Sequence, residues 1–162
     1  MSVTEISKDP TALTMSVASE WDAPIERVWQ LWADPRKLER WWGPPTFPAT
    51  VVEHDLRAGG TVTYFMTSPE GDRHHGWWKV GAVDAPQRLT FEDGFADDDG
   101  NPDLTMPTTR ATVTLTALAG GATRMVVESR FPSREAMDRL VEMGMEEGIA
   151  AAMGQIGPIL AA

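Results

Sequence analysis

A histidine and an aspartate on neighbouring strands are the residues of this sequence best suited to moving a proton. His74 stands in the run Arg73 to Val83, where alternation puts His74, Gly76, Trp78 and Val80 on one face and His75, Trp77 and Lys79 on the other. Lys79 belongs in water, so His74 and Trp78 face inward. The same rule turns Val62, Tyr64 and Met66 inward from Thr61 to Thr67, and Leu89, Phe91 and Asp93 inward from Arg88 to Phe95. After Ala49 it groups Val52, His54 and Leu56, with His54 inward. A His and an Asp facing one cavity form a general acid–base pair, with Asp orienting the imidazole and supporting its charged form. The plainer reading, which we favour, is that His74 hydrogen-bonds at the sheet edge and Asp93 caps a loop, because buried polar groups are mostly just satisfied ones.

Other chemistries fit less well. His74 and His75 are strand neighbours and point to opposite faces, and the chain has no Cys, so no metal site and no cofactor are expected. Asp97-Asp98-Asp99-Gly100-Asn101-Pro102-Asp103 is acidic like a calcium loop, but Pro102 stands where the loop needs Gly and Thr108 where it needs a bidentate Glu. It reads as a solvated acidic loop. No Ser-His-Asp order, Gly-rich phosphate loop or dinucleotide fingerprint occurs.

The apolar inventory points to a binding cavity. There are 7 Trp against one Tyr, and 9 Met, a mixture that packs an ordinary core or lines a space for a bulky apolar guest. Gly144, Gly148, Gly154 and Gly157 fall in the last helical stretch, where each interior Gly costs about 1 kcal/mol against Ala. They permit either close helix–sheet contact or room for a ligand. The sheet side of the expected pocket is His54, Val62, Tyr64, Met66, His74, Trp78, Phe91 and Asp93. Trp41 and Trp42 stand at its mouth, and Met106, Leu140, Gly144, Met145 and Gly148 complete it. Few polar groups among many apolar ones is how small-molecule sites are composed.

These residues need a scaffold, and the periodicity supplies one. Leu13 to Trp21 alternates as a half-buried strand. Asp22-Ala23-Pro24 starts a short helix with Ile25, Val28, Trp29 and Trp32 as its apolar stripe. Asp34-Pro35 stops it and opens a second, Arg36 to Trp41, which ends at Gly43-Pro44-Pro45. Strands follow from Ala49, Thr61, Arg73, Arg88, Thr108 and Thr123, and Ser133 caps a helix running to Ala162. The expected class is α+β: a curved antiparallel sheet of about six to seven strands around one long C-terminal helix, with two short helices after the first strand. Residues 1–11 read as a flexible tail and 12–162 as one domain.

Composition narrows the function further. The chain has 162 residues and a net charge of −10, which speaks against nucleic acid and against anionic membrane surfaces as partners. No apolar run approaches the ~20 residues of a bilayer span. The start, MSVTEISKDP, does not read as a signal peptide. Zero Cys fits a reducing compartment, so a cytoplasmic protein is expected. Outward-facing Phe65 and Trp77 would leave aromatic surface on the convex side of the sheet, which suggests a homodimer with the segment from Asp97 to Met106 reaching across.

The order of elements and several motifs resemble the START-like, helix-grip (SRPBCC) superfamily, in the branch related to activators of the heat-shock-protein ATPase. The carrying residues are Ala23-Pro24, Val28-Trp29, Trp32, Asp34-Pro35, Leu38 and Trp41-Trp42-Gly43-Pro44. Asp55-Leu56-Arg57 with Gly59-Gly60, Pro86 with Arg88-Leu89, Gly120-Gly121 with Thr123-Arg124, and Glu142-Met143-Gly144 continue the match, which runs from about Thr14 to Ile159. The resemblance implies a hydrophobic cavity between the sheet and the C-terminal helix. It leaves function open, because members bind lipids and hormones, cyclise polyketides, hydroxylate aromatics or assist chaperones. The chaperone activators carry a further N-terminal domain that this chain has no room for. Relatives often place Trp after the helix glycine, where this chain has Met145. Genes of the branch often lie beside winged-helix repressors, which implies a regulated, stress-linked or toxin-like role with a partner encoded nearby. Three functions follow: a binder of a hydrophobic small molecule, which we favour; a cyclase- or hydrolase-like enzyme using His74 and Asp93; and an interaction protein or effector.

Overall fold

A computed structural model describes residues 3–162, with side chains from Glu5 onward. Eight strands form one antiparallel sheet: β1 (Val3–Asp9), β2 (Thr14–Trp21), β3 (Ala49–His54), β4 (Thr61–Thr67), β5 (Arg73–Asp84), β6 (Arg88–Phe95), β7 (Thr109–Ala117) and β8 (Thr123–Arg130). Their spatial order is β1-β2-β8-β7-β6-β5-β4-β3. Two short helices, α1 (Ile25–Ala33) and α2 (Pro35–Trp41), bridge β2 to β3, and α3 (Arg134–Glu142), α4 (Met145–Met153) and α5 (Ile156–Ala161) close the chain. This is the expected helix-grip architecture. Among the described residues no helix is long and apolar enough to cross a membrane.

The eighth strand comes from the segment expected to be a flexible tail. Val3–Asp9 pairs along β2, from Val3 opposite Ser19 to Asp9 opposite Thr14. The Asp9 carboxylate accepts from the backbone N–H groups of Thr11 and Ala12, each at 3.0 Å, and so forms the turn. Among the described side chains of this strand, Ile6 packs against the core. Backbone pairing at a sheet edge asks for no apolar alternation, so the pattern did not mark it.

The C-terminal helix is three helices rather than one. Gly144 has φ +93° and starts α4, and Gly154 ends it. A left-handed residue breaks the i to i−4 hydrogen-bond ladder, so α3 and α4 meet at an angle over the sheet. The start signals were local and held. The Asp34 side chain accepts from Arg36 N at 2.9 Å with Pro35 following, and Ser133 Oγ accepts from Ala136 N at 3.0 Å.

Strand parity holds through β4, β6, β7 and β8 but is shifted by an irregularity at the end of β5, between Val80 and Val83, and by a bulge in β3. Val51 lies opposite Tyr64 and Glu53 opposite Thr63, leaving Val52 as a bulge that is 67% exposed. The extra residue inverts the alternation: Val51, not Val52, shares the inner face with His54.

The face away from the helices is covered within the chain. Trp77 is only 8% exposed and its indole N–H donates to Phe95 O at 2.9 Å. Its ring lies on Gly94, where an added Cβ would stand 2.5 Å from the indole. Ala96 pairs with Pro102, so the acidic loop folds back, and Gly100 and Pro102 border the same hollow as Trp77. The Arg73 guanidinium sits 4.4 Å above the Phe65 ring. Of the two aromatic residues behind the homodimer expectation, Trp77 is thus buried and Phe65 is half-buried under Arg73, and the segment from Asp97 begins by closing on its own sheet.

Candidate functional site

Between the sheet and α3–α4 lies a cavity of about 350 Å³. Two features of the sequence create it. The kink at Gly144 carries α4 across the sheet, and a Cβ added at Gly148 would meet nothing within 4 Å. The mouth loop is held by Gln155, whose side-chain amide donates to Gly43 O at 2.6 Å. That bond ties the chain after Trp42 to the end of α4.

Most of the expected lining residues do line it. Trp41, Trp42, Tyr64, Met66, His74, Phe91 and Asp93 do so from the sheet and α2 side, and Leu140, Gly144, Met145 and Gly148 from the C-terminal helices. His54, Val62, Trp78 and Met106 do not border the cavity, each for a definable reason. His54 is used structurally: its Nε2–H donates to Trp32 O at 3.0 Å, one of the last carbonyls of α1, which lack partners inside the helix. Val62 and Trp78 are fully buried beneath the cavity wall. Trp78 stacks on Phe91 with centroids 3.9 Å apart and planes 15° apart. Met106 lies against Arg139, its sulfur 3.2 Å from Nη2.

The lining also includes Thr109 and Ser129, which the sequence reading omitted. They keep the parity of Ala111 and Val127 on β7 and β8, and that alternation was the signal available. Met143, Ile149, Ala152 and Met153 complete the helix side. The kink at Gly144 decides which face of α4 turns inward, so helical periodicity through an unbroken helix could not find them.

His74 and Asp93 are not a pair. On β5 His74 stands opposite Met66, and Asp93 stands opposite Trp78 four positions further along, a separation of roughly 13 Å at the rise of a strand. His74 is exposed at the mouth with its ring 5.8 Å from Phe47. Asp93 instead accepts from the Tyr64 hydroxyl at 3.2 Å. Among the described residues, no three His, Cys, Asp or Glu side chains gather where they could hold a metal ion.

The Tyr64–Asp93 pair is the polar end of an apolar, aromatic chamber. Trp42 meets Trp78 edge-on at 4.8 Å and Tyr64 at 6.1 Å, and Trp32 meets Trp41 at 4.8 Å. Burial raises the Asp93 carboxyl from 3.8 to about 7, although the Tyr64 hydroxyl and the Gly94 backbone oppose the shift. Burial first, and the Asp93 charge second, hold the Tyr64 phenol well above its usual range. The Trp41 indole donates to Leu31 O at 3.0 Å. The buried Nε1–H groups of Trp42 and Trp78 close no hydrogen bond, although both bear on the Tyr64 oxygen and favour its charged form. Of the two, Trp42 lines the chamber, which therefore offers one spare donor and one carboxyl.

Relatives can be set beside this geometry. A crystal structure of protein Ms6760 from Mycobacterium smegmatis is 46% identical, with 98% of this chain and 96% of that one covered and a TM-score of 0.89. A solution structure of a protein from Arthrobacter aurescens is also 46% identical, covering 99% and 92% of the two chains at a TM-score of 0.94. One from Staphylococcus epidermidis is 25% identical, covering 98% and 94%, with a TM-score of 0.84. Among curated proteins, none matches the chain. Residues 22–161 match the model of the Activator of Hsp90 ATPase homolog 1-like proteins, and the chain belongs to that family, within the START-like helix-grip superfamily.

Proposed function

We propose that this protein binds a small, largely apolar molecule in the cavity, with the ligand's polar end at Tyr64 and Asp93. One observation carries the reading: a chamber of about 350 Å³ walled mostly by Trp, Met and Phe holds a hydrogen-bonded Tyr64–Asp93 pair among few other polar groups. The helix-grip superfamily is one of ligand-binding proteins, which supports it. Acid–base catalysis by His74 and Asp93 lacks the common point of reach that such a step needs. A cytoplasmic setting fits the absence of Cys.

Gly148→Leu tests the reading. Its Cβ meets nothing within 4 Å, so the larger side chain enters the cavity without straining the backbone. Expected is a loss of at least tenfold in affinity for an apolar fluorescent dye, with a cooperative thermal transition retained. Unchanged dye binding in a folded variant would sink the proposal. Native mass spectrometry of protein purified from its own host would then identify any guest that stays bound.

A further inference from the structure

The cavity wall is electrically one-sided. Among the described residues no Lys or Arg lines it. Its titratable side chains are Tyr64 on β4, Asp93 on β6, and His74 and His75 at the β5 end by the mouth. The facing parts of β7, β8, α3 and α4 contribute none, because their lining residues are Thr109, Ala111, Val127, Ser129 and apolar or Gly positions.

Asp93 is thus a carboxyl withdrawn from water without a cation. It receives one hydroxyl and one backbone N–H, and no positive charge acts on it. Buried carboxylates are ordinarily paired with a cation, because the ionised form is costly otherwise. The fold supplies no such partner, yet it spends Gly76 on admitting the phenol that holds Asp93: an added Cβ there would stand 2.5 Å from the Tyr64 oxygen. Lining the same cavity as the carboxyl are Trp42, Tyr64 and Phe91, rings of the kind that attract cations through their faces. An anionic guest such as a fatty acid would meet repulsion from Asp93 and no compensating charge.

We infer that the ligand class of this cavity is the apolar amine, with its ammonium group at Asp93 among Trp42, Tyr64 and Phe91 and its apolar body beneath α4. The inference rests on the cavity being a binding site, as proposed above. The amine would complete the ion pair that the fold leaves open. A neutral ligand would leave the proton equilibrium of Asp93 as it is in the free protein.

Three probes with one body test it: 1-naphthylmethylamine, 1-naphthylmethanol and 1-naphthoic acid, titrated calorimetrically into the full chain at pH 8. The amine is expected to bind at least tenfold tighter than the alcohol, and the acid weakest. Asp93→Asn should bring the amine to the alcohol's affinity while moving the alcohol less than threefold. If that variant fails to fold, proton release decides instead. At pH 7, where Asp93 is about half protonated, binding the amine should release about half a proton to buffer and binding the alcohol none. An amine that binds no tighter than the alcohol, or that releases no proton, overturns the inference and leaves the cavity a binding site. Failure of all three probes to bind overturns both readings.

Discussion

The Tyr64 phenol crosses β5 directly above Gly76, where that strand has no side chain to block it. The two residues are cross-strand partners, and a Cβ at Gly76 would stand 2.5 Å from both Cζ and the hydroxyl oxygen. Through that opening the hydroxyl reaches Asp93 on the next strand at 3.2 Å. Gly76 is therefore as much part of the polar site as the pair it admits.

Gly76→Ala should consequently displace the phenol and break its bond to Asp93. Overpacking of this kind costs about 1–3 kcal/mol, read from urea denaturation. The Tyr64 bond holds Asp93 down, so its loss should move the Asp93 midpoint above about 7, followed by NMR of the side-chain carboxyl. An unmoved midpoint would show that the phenol still reaches.

Asp93 should make the folded protein less stable as pH rises. Its carboxyl is raised from 3.8 to about 7 on folding, so between those values the native state holds a proton that the unfolded chain has released. The stabilisation from that proton is complete below about pH 4, declines from about pH 4 to 7, and is gone above. The scale is roughly 2–4 kcal/mol. Urea melts of the wild type and Asp93→Asn across pH 4 to 8 should diverge by this amount, with the variant gaining relative stability at the alkaline end.

Two glycines of the C-terminal helices should respond in opposite ways to Ala. At Gly144, φ is +93°, and a Cβ there costs on the order of 1–2 kcal/mol. At Gly148, within α4, an added Cβ meets nothing within 4 Å, so Ala should stabilise by about 0.5–1 kcal/mol through helix propensity. Equal effects in denaturant melts would contradict the kinked-helix geometry.

Legibility followed the range of the interactions involved. Asp34-Pro35 and Ser133 announce helix starts because a cap is made within three residues. β4, β6, β7 and β8 show their inner faces because alternation is a property of one strand and one buried side. Asp93, Tyr64 and Phe91 were recoverable as cavity residues on these grounds alone, and Gly148 from the cost of a glycine inside a helix. The bulge at Val52 was not, because an extra residue shows itself only against the partner strand that lacks it.

By itself, then, the sequence determined the class of fold, the capped helix starts, the apolar character of the cavity and the inward placement of Asp93. Tertiary structure alone decided what Asp93 does there. Both His74 and Tyr64 have the parity to face it, and parity says nothing of distance along a strand. Register places His74 opposite Met66 and Asp93 opposite Trp78, and the opening at Gly76 admits the phenol from one strand further away. The carboxyl's partner, its burial and its missing cation arise from three strands and two helices closing on one point, and no local pattern contains that information.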